Sequence, residues 1–109
     1  MRFVLSLALL LLLGSGSRAA DFFEIPTDEK PLQAVLYRPS GDGPFSAIIA
    51  VHDCDGLKNS HGVLRPTIED WGKRLSEAGY VVLYPDSFGS RGLERQCRIN
   101  AARLRPDRE

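Results

Sequence analysis

Two short segments hold most of the reactive side chains of this 109-residue sequence: His52-Asp53-Cys54-Asp55-Gly56-Leu57 and Pro85-Asp86-Ser87-Phe88-Gly89-Ser90-Arg91. An imidazole, a thiol and carboxylates are raw material for acyl transfer, which needs a nucleophile, a base and a group that steadies developing charge. The set is incomplete. No G-x-S-x-G or G-x-C-x-G turn occurs, and none of the serines, at 6, 15, 17, 40, 46, 60, 76, 87 and 90, has glycine at both −2 and +2. Cys54 as a nucleophile would lack a neighbouring base. His52 reads as a loop-positioning residue that ties down its own turn by hydrogen bonding, and His61 as a solvated loop residue. Asp86, after a strand and a proline, reads as a turn or cap residue, or else as a site wall.

Composition narrows the classes. Fourteen basic and fourteen acidic side chains balance, whereas nucleic-acid binders carry a basic excess, so no nucleic-acid partner is expected. The 43% hydrophobic content is too high for a disordered chain. Two cysteines cannot complete a four-ligand zinc site, and no metal site is expected.

The first segment, MRFVLSLALLLLLGSGSRAA, has a basic start, an apolar run from Phe3 to Leu13 and then small residues. That is the anatomy of a secretory signal peptide, with cleavage expected after Ala19. The run is too short for the ~20 residues of a spanning helix, so no stable membrane anchor is expected. The expected organisation is therefore a signal peptide over 1–19 and a domain over 20–109, exported to the periplasm or secreted. Removing residues 1–19 takes Arg2 and Arg18 and leaves 90 residues with 12 bases against 14 acids. Export makes a disulfide permissible.

The elements that must position the two segments follow from apolar spacing. Asp21–Ile25 and Gln33–Arg38 read as an antiparallel hairpin around a polar turn. Ser46–His52 contains five continuously apolar residues, the pattern of a strand covered on both faces. Thr67-Ile68-Glu69-Asp70 fits a capping pattern that opens a helix, with Ile68, Trp71, Leu75 and Ala78 as its apolar stripe and Gly79 as its stop. Tyr80–Tyr84 reads as a second buried strand. Strand, loop, helix and strand make one right-handed βαβ unit with parallel strands. The fold class is thus α/β, with an N-terminal antiparallel hairpin. The tail from Gly92 onward, rich in arginine, reads as the start of another helix. In parallel α/β sheets ligands bind at the carboxyl ends of the strands, which sets Asp53 and Ser87 on one rim.

The run AIIAVHDCDGL, followed by DWGKRLSEAGYVVLYPDSFGSRG, resembles the N-terminal half of the dienelactone hydrolase family, over roughly Phe22 to Cys97. The resemblance implies a partial α/β-hydrolase sheet that hydrolyses small-molecule esters or lactones through an acyl-enzyme, with no cofactor. In that fold one oxyanion donor comes from the loop after the first parallel strand; the resemblance gives this role to the Cys54 backbone N–H. It sets Asp53 where the family carries an acid near the nucleophile, and Arg91 near an arginine that holds a substrate carboxylate, as site wall or substrate-binding residues. It also implies that the nucleophile, acid and catalytic histidine follow later in the chain order. No catalytic residue is then expected within these 109 residues, and the chain alone is expected to be silent. This chain departs from the family's glycine-rich loop by carrying Asp53 and Asp55, and a carboxylate is unfavourable near an oxyanion unless it points away or is protonated. The alternative reading is a non-catalytic exported module, or a decayed hydrolase, that pairs with a partner through an open strand edge.

For Cys54 and Cys97 three states stay open: buried thiols, a Cys54 nucleophile, or a disulfide. The bridge is the working hypothesis, since both lie at the same end of adjacent strands. Closing a loop of about 43 residues would restrict the unfolded chain by on the order of 4 kcal/mol.

Overall fold

The computed structural model describes residues 20–98. The expected signal peptide and residues 99–109 of the tail lie outside them; residues 92–98 carry no helix.

Four strands form one mixed sheet in the order β1-β2-β4-β3. β1 (Asp21–Ile25) and β2 (Leu32–Tyr37) are the expected antiparallel hairpin, with Phe22 opposite Val35 and Glu24 opposite Gln33. β2 then pairs antiparallel with β4 (Val81–Pro85), and β4 pairs parallel with β3 (Ala47–Ile49). The helix α1 (Pro66–Glu77) joins the two parallel strands.

The core forms on one face of β2 and β4. Val35 lies opposite Tyr84, and Tyr37 opposite Val82, so all four side chains share that face. All are buried, with Leu57 from the loop after β3 completing the cluster. Ile68 and Leu75 of α1 pack against it. Leu57 therefore ties the loop that carries the candidate chemistry into the hydrophobic core.

Three sequence expectations are corrected. Thr67 does not cap the helix: Arg65 is the N-cap without a side-chain bond, and Pro66 opens the first turn, where its fixed φ suits a helix and its missing N–H costs nothing. The apolar stripe is also shifted. Trp71 and Ala78 are exposed, and the buried position between Ile68 and Leu75 is Gly72. A Cβ on Gly72 would overlap the Tyr37 ring; the absence of a side chain is what lets α1 settle on β2. Finally, β3 is shorter than expected and is not covered on both faces. It is the last strand of the sheet, and Ile49 and Val51 stay 71% and 79% exposed. α1 packs on β2 and β4, leaving the opposite face at Ile49 bare.

The helix ends as its glycine predicts. Gly79 takes φ +98°, and the N–H groups of Gly79 and Tyr80 donate to the carbonyls of Ser76 and Leu75 at 3.0 and 3.1 Å. This left-handed closure satisfies the last carbonyls and turns the chain into β4.

Tyr37 packs edge-on to Tyr84 with centroids 6.3 Å apart. Its hydroxyl is buried without a hydrogen-bond partner among the described residues. Burial above all, then the nearby Glu69 and Tyr84, pushes its pKa up to about 12.

Candidate functional site

Because β3 and β4 run parallel, the chain leaves both at the same rim. His52 joins the two departing segments. Its Nε2 accepts the Ser87 N–H at 3.2 Å, while its Nδ1 lies 2.9 Å from the Asp53 carbonyl. A ring that accepts at Nε2 must carry its proton at Nδ1 to donate to that carbonyl. Both ring nitrogens are engaged, and the ring meets Phe88 edge-on at 4.6 Å. It has no lone pair left to act as a base; it staples two loops.

Asp53 closes a tight turn. Its carbonyl accepts the Gly56 N–H at 3.0 Å, and its carboxylate accepts the Asp55 N–H at 2.9 Å. Gly56 sits at φ +80°, a left-handed conformation that glycine adopts without strain. Between Asp53 and Asp55, the Cys54 N–H donates to no acceptor among the described residues, and Cys54 is exposed at the rim. The Cys54 sulfur is bonded to Cys97 across a Cα separation of 4.7 Å. Alongside this disulfide, the Gln96 N–H donates to the Cys54 carbonyl at 2.8 Å.

Asp55 turns to the opposite side of the loop. Its carboxylate pairs closely with Arg95 and lies 3.9 Å from Arg65. Arg65 also donates twice to the Asp55 carbonyl, at 2.8 and 3.1 Å. Both carboxylates that interrupt this loop are thus engaged locally, Asp53 by a backbone N–H and Asp55 by two guanidinium groups.

Beside the turn lies a cavity of about 590 Å³, walled by Asp55, Lys58, Arg65, Asp86, Phe88 and Arg95 among others. Asp86 is 2% exposed and accepts the Gly89 N–H at 2.8 Å. A Cβ on Gly89 would overlap that carboxylate, so the turn Asp86–Gly89 requires its glycine. The Lys58 ammonium stands 3.9 Å from the Asp86 carboxylate and 3.4 Å from the Gln33 side-chain oxygen. It also sits 5.7 Å above the centre of the Phe22 ring, a cation–π distance. Two acids on the cavity wall face cations: Asp86 faces Lys58, and Asp55 faces Arg65 and Arg95. Among the described residues no three His, Cys, Asp or Glu side chains are grouped to hold a metal ion.

The structure brings His52, Asp53, Cys54 and Ser87 to one rim, but the cavity opens on the Asp55–Ser60 side of the loop. Arg91 ends the 3-10 turn Gly89–Arg91 and lines a separate recess with Asp28, Lys30 and Ser90. Lys58, Arg65 and Gln33 were missed in the sequence. Lys58 and Arg65 sit in a polar stretch like any solvated loop, and Gln33 in a strand distant in sequence. The available signals are Leu57 and Leu64, apolar residues beside Lys58 and Arg65 that meet the core and pull their neighbours inward.

No family model matches the chain, and no curated protein does either. A solved structure from Klebsiella pneumoniae, titled a putative dienelactone hydrolase, superposes with a TM-score of 0.57 at 24% identity over 79% of this chain. At that identity the likeness is one of fold. The chain spans 33% of that neighbour's length.

Proposed function

We propose that this chain is the N-terminal portion of an exported hydrolase of small esters or lactones, and that it supplies the oxyanion side of the site but not the attacking group. The observation that carries this reading is the Cys54 N–H: it stands at the rim of a parallel strand pair, in a tight turn, with no acceptor among the described residues. Acyl transfer builds charge on a carbonyl oxygen, and a fixed backbone donor steadies that charge without reorganising. The compensation of Asp55 by Arg65 and Arg95 supports the reading, since it lowers the cost of acids in such a loop. The hydrolase-like fold of the Klebsiella neighbour supports it as well. His52 is then a positioning residue, Asp53 is a rim residue, and Arg91 stands at the separate recess.

The turn Asp53–Gly56 holds the Cys54 N–H, and His52 fixes that turn against the segment after β4. The nucleophile, its base and its acid are supplied by residues beyond Glu109. The test is an aryl-ester assay on the purified chain joined to a reading of its coding DNA. The expected results are no turnover above buffer and a G-x-[S/C]-x-G turn, in any frame, within about 50 codons downstream, where the fold's chain order sets the nucleophile. Turnover that survives repurification would place the nucleophile inside the chain and overturn the reading.

The second reading, a non-catalytic module that pairs through its sheet edge, is favoured by the place of β3 at the end of the described strand order. A clean stop codon with nothing hydrolase-like beyond it would select that reading.

A further inference from the structure

We infer that residues 94–97 form a strap that closes one side of the cavity, and that the Cys54–Cys97 disulfide is its latch. Glu94 and Arg95 line the cavity, yet the strap has no helix or strand of its own. Its upstream end is fixed. The N–H groups of Gly92 and Leu93 donate to the carbonyls of Gly89 and Phe88 at 3.1 and 2.9 Å. Gly92 takes φ +68°, and a Cβ built on it would meet no atom within 4 Å.

Downstream, the strap's tethers among the described residues land on two adjacent positions. The Gln96 N–H reaches the Cys54 carbonyl, Arg95 reaches the Asp55 carboxylate, and the disulfide joins Cys97 to Cys54. The Gln96 side chain is buried and, among the described residues, bonds within the strap, to the Glu94 carbonyl at 2.6 Å. A half-exposed ion pair and one backbone hydrogen bond hold a segment weakly beside a covalent bond, so the disulfide carries the closure. The loop on which the strap lands is held separately, by Arg65 on the Asp55 carbonyl and by His52. Opening the disulfide therefore frees the strap and leaves the loop in place.

The opening step is a thiol–disulfide exchange with a dithiol. Its thiolate attacks Cys54, the more exposed of the pair, and displaces the Cys97 thiolate; its second thiol then resolves the mixed disulfide. Cys54 and Cys97 end as thiols, having gained two electrons and two protons, and the dithiol ends as a disulfide. The latch stands on geometry alone; only its consequence, gated entry of a ligand to the cavity, rests on the functional reading above.

Residue-resolved hydrogen exchange on the full chain, before and after treatment with dithiothreitol, tests the latch. The Gln96 amide is expected to exchange at least tenfold faster after reduction, while the amides of β2 and β4 change less than twofold. In the oxidised chain, Arg95→Ala is expected to leave the Gln96 rate within threefold. An unchanged Gln96 rate on reduction would overturn the latch. Acceleration across β2 and β4 would make the disulfide a staple of the whole fold, and an Arg95→Ala effect as large as reduction would make the ion pair the tether. Ester turnover does not enter this readout, so failure here and failure of the hydrolase reading are separable.

Discussion

The two edges of the sheet are finished differently. β1 carries Asp21 and Glu24 along its length and is followed by Pro26, with Asp21 3.8 Å from Arg38. Charges and proline are how proteins stop an edge from recruiting another strand. β3 has no such guard: from Ser46 to Val51 there is no charge and no proline, and Ile49 and Val51 stand open. The difference teaches that β1 is composed as a terminal strand and β3 as an interior one. The chemistry sits at the end of the unguarded strand, where His52, Asp53 and Cys54 leave β3.

Paired strands give the sharpest way to break this comparison. Val82 is fully buried, and Ile49 lies on the neighbouring strand opposite Leu83, one residue further on. Val82→Ala should lower the unfolding free energy by about 2–3 kcal/mol in urea titration, through lost burial plus a cavity. A loss under about 1 kcal/mol would mean that the face beneath α1 is loosely packed.

Gly72→Ala probes the same side from the helix. Alanine ordinarily favours a helix by about 1 kcal/mol over glycine, but here its methyl would overlap the Tyr37 ring. Overpacking should win, with a net loss of about 2 kcal/mol. Stabilisation would show that α1 rides higher over β2.

Tyr37→Phe removes the unpartnered buried hydroxyl and should raise stability by about 1 kcal/mol. It should also change the alkaline limb of the stability profile. The folded-state pKa of Tyr37 is raised to about 12 by burial, so between the unfolded value near 10 and 12 the unfolded chain releases a proton that the folded chain keeps. Stability therefore falls as pH rises through that window, and the fall should be shallower in the Phe variant, as followed by circular dichroism.

The smallest effect belongs to the bare edge. Ile49→Lys should alter stability by less than about 0.5 kcal/mol, because the side chain is already in solvent, and should raise solubility. A loss above about 2 kcal/mol would mean that Ile49 is covered.

What could be read in the sequence follows the range of each interaction. The hairpin, the helix and the parallel pair come from local periodicity and turn residues, which act over a few positions. The stripe on α1 went astray at Gly72 because a glycine carries no apolar signal; its role exists only against Tyr37, 35 positions away. The apolar run of β3 correctly marked a strand but not its surroundings, since burial depends on which elements pack on it. At the site, Cys54 and Cys97 could be brought to one rim by topology, and the structure joins them. The facing of Lys58 and Asp86 depends on a loop path that no spacing encodes.

The two-edge account is tested most directly at β3, amide by amide. The Ala50 N–H donates to the Leu83 carbonyl at 2.8 Å, and in a strand alternate N–H groups point to opposite sides. Hydrogen exchange followed by NMR should find Ala50 strongly protected and Ile49 and Val51 exchanging close to the rate of an unstructured chain. Equal protection of all three would contradict the account, because it would mean that the outer side of β3 is already paired.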